Sequence, residues 1–586
     1  MKKFKRLFLT TLLLVVILVP TKTAALEFEE VKDAEALISA VEEGKNIKLT
    51  SDILNVGKTL LINKEITVDL NGNNISFTKN NSFEVIGGNL TLTGKGIVKE
   101  EVPYYGAVML RGSANKDDIN YSTLTVEKDV ALEGWSPIFI NQLNGANKVK
   151  DSYGVTVNLY GTLNGVADST GDRGHGIYVN GNIQHKENCP IINIYEGAKI
   201  TTPGDGIYAA GYAKWNIEGA TITGGIGLGI KAGIFNLKNV TVIATDSYKE
   251  AEGYGNGINS TGAAIQIESN NGYAGAIDIT IDKGNYTSNH GYAIQHYLNI
   301  DKKTKIVSDN KLNNLVINGA KVSSLEKDKA IIAVDGDKIL VTGGTFSSSV
   351  AKYITSEYVE TKVENEYVVA KKELKVDTPT IDTTKPVEEV TVGVKEDDTL
   401  KDTLVKAIKD SKIDVTDINA IVMVTIDNQK EEQVPEEASK SINELAKEKE
   451  NIKVVSFFDI TLNVKNNVTG ETLGTLSTLD NKIKFNMALP EELTKVAEGY
   501  TRKYYIVRYH DGKSEIIPAT VNGNMLSFES DKFSTYALAY EDVKNENVVN
   551  PPTGDRIIID LVIGIVSVVG LSLVVNSIAK RKKYFN

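Results

Sequence analysis

Gly206-Ile207-Tyr208-Ala209-Ala210-Gly211-Tyr212 decides the fold, because its first four residues return at intervals along the chain. Related tetrapeptides are Gly176-Ile177-Tyr178-Val179, Gly229-Ile230-Lys231-Ala232, Ala264-Ile265-Gln266-Ile267 and Ala293-Ile294-Gln295-His296, and their aligned isoleucines stand 30, 23, 35 and 29 residues apart. Weaker copies lie at Ala107-Val108-Met109 and Ala330-Ile331-Ile332. Between the copies run short β-branched stretches such as Ile66-Thr67-Val68, Leu90-Thr91-Leu92 and Val155-Thr156-Val157, separated by Gly, Asn and Asp turns. A period near thirty with three short strands per period stacks aliphatic side chains into ladders, so the chain reads as mainly β, with residues 26–372 forming a right-handed parallel β-helix. The irregular spacing favours insertions between coils over the fixed blades of a propeller or the layers of a sandwich. Residues 29–43, with Ala34, Leu37, Ile38 and Val41 at helical spacing, supply a helix to cover the first coil's open edge.

If the isoleucines point inward, the residues just after them face outward: Tyr178, Tyr208, Lys231, Gln266 and Gln295, with Glu268 and Tyr297 two residues further along. The strip reads either as a solvated polar face or as a binding strip for a glycan or protein ligand, in which the tyrosines offer stacking planes and the amides offer hydrogen bonds. Only Lys231 and Glu268 in it can do acid–base work, and no aspartate cluster accompanies them to hold the calcium a uronate lyase needs.

Gly174-His175-Gly176 resembles a motif of polygalacturonase-type glycosidases, which also need paired aspartates from N-T-D and D-D elements. N-T-D is absent, while Asp117-Asp118 and Asp397-Asp398 lie in a polar loop upstream and beyond the array. His175 aligns with Asp205, Leu228, Ala263 and Tyr292, which makes the flanking glycines turn requirements; coils about 4.8 Å apart bring His175 and Asp205 within reach of a hydrogen bond. His296 aligns with core-facing Val179, Ala209, Ala232 and Ile267, and is expected to be a satisfied interior histidine. The five histidines, at 175, 185, 290, 296 and 510, match no zinc spacing. No catalytic residue, metal or cofactor is assigned, although the insertions 144–153, 184–190 and 245–261 can add ligands that alignment misses.

The segment 204–297, with Glu268-Ser269-Asn270-Asn271-Gly272-Tyr273-Ala274-Gly275 beside the opening heptapeptide, resembles the pectate-lyase-like β-helices of Firmicutes surface proteins. That likeness implies fold and location, not substrate. The termini point the same way. Lys2, Lys3, Lys5 and Arg6 precede the apolar run 7–20 and the small residues Thr23-Ala24-Ala25, the pattern of a signal peptide over residues 1–25. Near the other end, Asn550-Pro551-Pro552-Thr553-Gly554, an apolar run over 557–579 and a basic tail over 580–586 resemble the sorting signal of Gram-positive cell-wall proteins. The resemblance implies a sortase as partner, cleavage between Thr553 and Gly554, and covalent attachment of Thr553 to peptidoglycan. Asn550 stands where Leu is commonest, as in variants used by clostridial enzymes.

Between these ends, residues 373–386 read as a Thr- and Pro-containing linker. Residues 387–541 read as a smaller α+β or β-rich module, with helices over 399–411 and 436–450 and strands over 421–426, 452–464 and 504–509. Its end, from Tyr505 to Lys513 and from Phe528 to Tyr540, resembles a wall-proximal module of Firmicutes surface proteins, and residues 542–556 are a tether with the sorting motif. His510-Asp511-Gly512 reads as a hairpin turn. The net charge is −11; without residues 1–25, which carry five basic side chains, and residues 554–586, which carry a net +3, it becomes −19. Such an acidic chain excludes bulk-charge binding to nucleic acid or anionic membrane. The single cysteine, Cys189, forms no intrachain disulfide, so stability rests on core packing. The expected function is that of a wall-anchored adhesin, with a wall-tethered polysaccharide lyase or glycoside hydrolase as the alternative.

Overall fold

The computed structural model describes residues 26–78, 80, 82–143, 151–250, 260–326, 328–381, 389–415, 419–449 and 451–545. The expected signal peptide, sorting pentapeptide, apolar span and basic tail lie outside these residues. Among the described residues, no helix is long and apolar enough to cross a membrane. The chain divides into two compact units: one runs through Lys375 and takes in short segments at 414–421 and 465–472, and the other contains most of the remaining residues.

The first unit is mainly β with long parallel sheets, as the repeat predicts. It begins with helix α1, Ala34–Glu43, capped by Asp33, whose carboxylate accepts the Ala36 N–H at 3.0 Å. Leu37, Ala40 and Val41 are its buried face, which is where the helical spacing put them. The following strands pair at a distance in sequence, each parallel to its equivalent one rung on: Glu65–Asp69, Asn89–Thr93, Ser122–Val126, Val155–Leu159, Ile191–Ile194, Lys214–Glu218 and Gly233–Ala244. A second sheet contains Leu60–Ile62, Phe83–Ile86, Val108–Arg111, Ile138–Asn141, Ile177–Val179, Asp205–Ala209, Ile226–Ile230, Ile265–Ser269, Ile294–Leu298 and Ile331–Ile332 in that spatial order. This winding is compatible with a β-helix. Its inward row, Ile138, Ile177, Ile207, Leu228, Ile265 and Ile294, is fully buried and continuous with one core running from Val31 to Val369. β-branched side chains suit such a row because each stacks on a neighbour of similar shape about 4.8 Å away. The parallel ladder ends where Glu366–Lys371 pairs antiparallel with Gly344–Phe346 and with Tyr358–Val363, a hairpin that occupies the otherwise open edge.

The second unit mixes helices and antiparallel strands. Helices α2, Leu400–Asp410, and α3, Glu436–Glu448, stand within the predicted ranges, and strands Ala420–Gln429, Lys453–Asn466 and Tyr500–His510 extend the predicted ones. Ala438 and Ile442 of α3 pack on Phe457, Val507, Ala537 and Ala539. His510 pairs with Lys513 across a two-residue turn in which Asp511 and Gly512 take φ of 49° and 77°, the left-handed pair a tight hairpin requires.

Candidate functional site

The outward row of the ten-stranded sheet reads Glu84, Met109, Phe139, Tyr178, Tyr208, Gly229, Gln266 and Gln295, one residue per rung. One position differs from the alignment. Tyr208 is paired with Gly229 and Ile230 with Ile267, which moves Lys231 two residues along, into the row of Glu268 and Tyr297. Likewise Asp205 is paired with Ile226, not Leu228. The segment Gly225-Ile226-Gly227-Leu228-Gly229-Ile230 offers three equivalent Gly–aliphatic steps, and a slip of two preserves the inward and outward alternation.

The strip expected to be exposed is instead covered. Tyr208, Lys231, Gln266, Glu268, Gln295 and Tyr297 are all buried, and Tyr178 is half-buried. The cover comes from turns that leave the sheet and return. The Thr261 N–H and hydroxyl bond Gln266 Oε1 at 3.1 and 2.7 Å, and the Tyr273 ring lies 5.1 Å from Lys231 Nζ, which is equally close to the Tyr208 ring. Alternation fixes the side a residue takes; it says nothing of what folds over it.

Lys231 and Glu268 form an ion pair at 3.0 Å with side chains 2% and 1% exposed. The Glu268 carboxylate also accepts from Asn270 Nδ2 at 2.8 Å, Asn299 Nδ2 at 2.6 Å and the Tyr297 hydroxyl at 2.9 Å. Four donors therefore occupy the two oxygens of this carboxylate and leave it no open face toward a substrate. The two residues singled out for acid–base work therefore anchor the turn to the sheet.

The other end of the row is aromatic. Phe139 stacks on Tyr178 with centroids 4.3 Å apart, Tyr178 on Tyr208 at 4.9 Å, and Tyr208 on His175 at 4.8 Å. His175 meets Trp135 edge-on at 5.2 Å, and Trp135 meets Tyr104 at 5.3 Å. Tyr104 is 50% exposed and donates its hydroxyl to Asp168 at 2.8 Å; Trp135, Phe139 and Tyr178 are half-buried. The array thus runs from exposed Tyr104 inward to His175 and Tyr208 and outward again to half-buried Phe139. Sequence reasoning missed Tyr104, Trp135 and Phe139, although Phe139 aligns with Tyr178 one rung on.

In the buried middle of the array, the expected hydrogen bond between His175 and Asp205 is absent. His175 Nδ1 and Asp205 Oδ1 are buried without a hydrogen-bond partner, as are Trp135 Nε1 and Gln295 Oε1. Burial, helped by Lys231 and Arg173 nearby, pushes the His175 imidazole down to about 3, so it is neutral. Burial pushes the Asp205 carboxyl up to about 7 against the pull of Lys231 and Arg173. Arg173 is itself paired with Asp246 at 2.5 Å. Gly229 makes room for Asp205: a Cβ there would lie 2.4 Å from Asp205 Oδ2.

His296 is the interior histidine the alignment indicated. Its Nε2 meets Ser269 Oγ at 2.8 Å and its Nδ1 meets Asp337 Oδ2 at 2.7 Å. The order Ser–His–Asp is that of a nucleophile triad, but Ser269 is fully buried and its oxygen also accepts the Lys311 N–H at 2.8 Å, so the three serve as an internal brace. Among the described residues, no three His, Cys, Asp or Glu side chains come together to hold a metal. The chain matches no known protein family, no curated protein and no solved structure.

Proposed function

We propose that this is an exported, wall-anchored surface protein whose right-handed parallel β-helix binds a glycan on the outer face of its ten-stranded sheet. The terminal segments support the location: a charged and apolar leader at one end, and a pentapeptide, apolar run and basic tail at the other. In this reading the sortase transfers Thr553 to peptidoglycan, residues 387–541 lift the sheet away from the wall, and the protein acts as an adhesin.

One observation carries the ligand class. Six rings, Tyr104, Trp135, His175, Tyr208, Tyr178 and Phe139, touch in sequence through a buried middle, and the four outside that middle keep partial exposure. Sugar rings present apolar C–H faces that stack on such planes, while their hydroxyls need the polar groups found beside them. The competing reading, a wall-tethered hydrolase or lyase, draws support from the Asp205 carboxyl, which is poised to exchange a proton near neutrality.

A glycan and matrix-protein array probed with the full chain in mild detergent tests the proposal, with reducing-sugar and unsaturated-product release followed on every hit. Glycan binding without product, weakened by Tyr178→Ala, supports the adhesin. Turnover of a bound polysaccharide replaces it with the enzyme. Binding confined to matrix proteins overturns the ligand class.

A further inference from the structure

We propose that Asp205, His175 and Trp135 form a hydroxyl-binding subsite at the buried middle of the aromatic array, selective for an uncharged sugar over a uronate. The proposal rests on the glycan-binding reading and adds the sugar's class and the groups that recognise it.

The first support is the set of atoms without partners. A buried polar atom left unpaired is costly, and three of them, His175 Nδ1, Asp205 Oδ1 and Trp135 Nε1, belong to side chains joined by the His175–Trp135 contact and by the position of Asp205 one rung from His175. They are complementary in kind. The indole N–H only donates, the Asp205 oxygen accepts when ionised, and neutral imidazole does either. A polyol with adjacent hydroxyls satisfies such a mixed set, because each hydroxyl both donates and accepts.

The second support is the gap in the row. Where every neighbouring rung places a side chain, Gly229 places none, and the Asp205 carboxyl occupies the space. Any larger residue at 229 displaces the carboxyl from that space.

Charge decides the class. The cations that act on Asp205 are Lys231 and Arg173, and each is committed, Lys231 to Glu268 and Arg173 to Asp246. The anions around it are Asp246 and Glu268, and His175 is neutral. A uronate carboxylate entering here meets three carboxyl groups and two cations already paired, whereas an uncharged ring brings no charge to desolvate.

Isothermal titration on the full chain in detergent tests this, with neutral oligosaccharides and their uronate counterparts as probes. The wild type is expected to bind the neutral glycan about tenfold or more tightly than the uronate. Gly229→Ala and His175→Phe are each expected to weaken neutral-glycan binding by about tenfold, the loss that follows withdrawal of a buried partner. His175→Phe keeps the aromatic contact, so it remains informative if Gly229→Ala fails to fold. If the wild type binds, Tyr178→Ala abolishes binding and the two subsite variants bind like wild type, the subsite is wrong and the glycan-binding reading stands. A preference for uronates overturns the subsite in the same way. No glycan binding at all overturns both.

Discussion

Two outward rows of the first unit obey the same rung spacing and solve it differently. On the larger sheet, Asn158, Asn193, Asn216 and Asn236 stand in register, and each side-chain amide donates to the oxygen one rung back at 3.0, 2.9 and 3.1 Å. The row faces solvent or lies half-buried, repeats one residue type and satisfies itself. The row on the ten-stranded sheet changes residue type at almost every rung, is buried towards its centre, and leaves polar atoms unpaired beside it. A uniform ladder is what parallel stacking favours by itself. A mixed, roofed row with orphan atoms weakens the stack, and such departures from local consistency concentrate where a molecule binds or reacts.

That contrast breaks if the mixed row tolerates substitution as the asparagine row does. The largest effect is expected at the caged ion pair: Lys231→Met leaves buried Glu268 without its cation, at a cost of about 3–5 kcal/mol in urea unfolding, and adding Glu268→Gln recovers part of it. Equal stability of Lys231→Met and wild type would mean the roof is open in solution.

Next come the two groups whose charge burial has altered. Asp205 has its carboxyl raised from 3.8 to about 7, so its contribution to stability is fully present below pH 3.8 and lost as pH rises through about 7. Asp205→Asn should therefore stabilise the fold at pH 8, by about 2–4 kcal/mol, and change little at pH 4. His175 has the opposite sign. Its imidazole is lowered from 6.5 to about 3, so its contribution is present above pH 6.5 and lost as pH falls through about 3. His175→Phe should flatten the acid limb of a melting-temperature profile between pH 6 and 4. The Asp205 environment that sets these signs includes Lys231, Arg173, Asp246 and Glu268.

The smallest effect sharpens the comparison from the other side. Asn216→Ala removes two amide bonds from the exposed row and should cost about 0.5–1.5 kcal/mol, with no change in glycan affinity. Loss of glycan binding on this substitution would move the ligand to the larger sheet.

Much of the first unit was legible because stacking is a local rule repeated. The isoleucine period marked the inward row, the spacing of Leu37 and Val41 marked α1, and His296 fell in an inward slot where it indeed packs. In the second unit, the apolar spacing of α2 and α3 and the Asp511-Gly512 turn were equally readable. The candidate site was legible in part. Tyr178, Tyr208 and Glu268 were placed on the right face, but Lys231 was misaligned by two residues and Tyr104, Trp135 and Phe139 went unseen.

The sequence by itself determined which residues point inward and that the chain winds in parallel rungs, because strand alternation and the period of the apolar residues are properties of short segments. Only the tertiary structure decided that Glu268 is caged, that the strip is roofed and that His175 and Asp205 keep unpaired atoms. Those outcomes depend on contacts between residues such as Tyr208 and Tyr273, or Glu268 and Asn299, which lie 65 and 31 positions apart and meet only once the rungs are stacked and the turns fold over them.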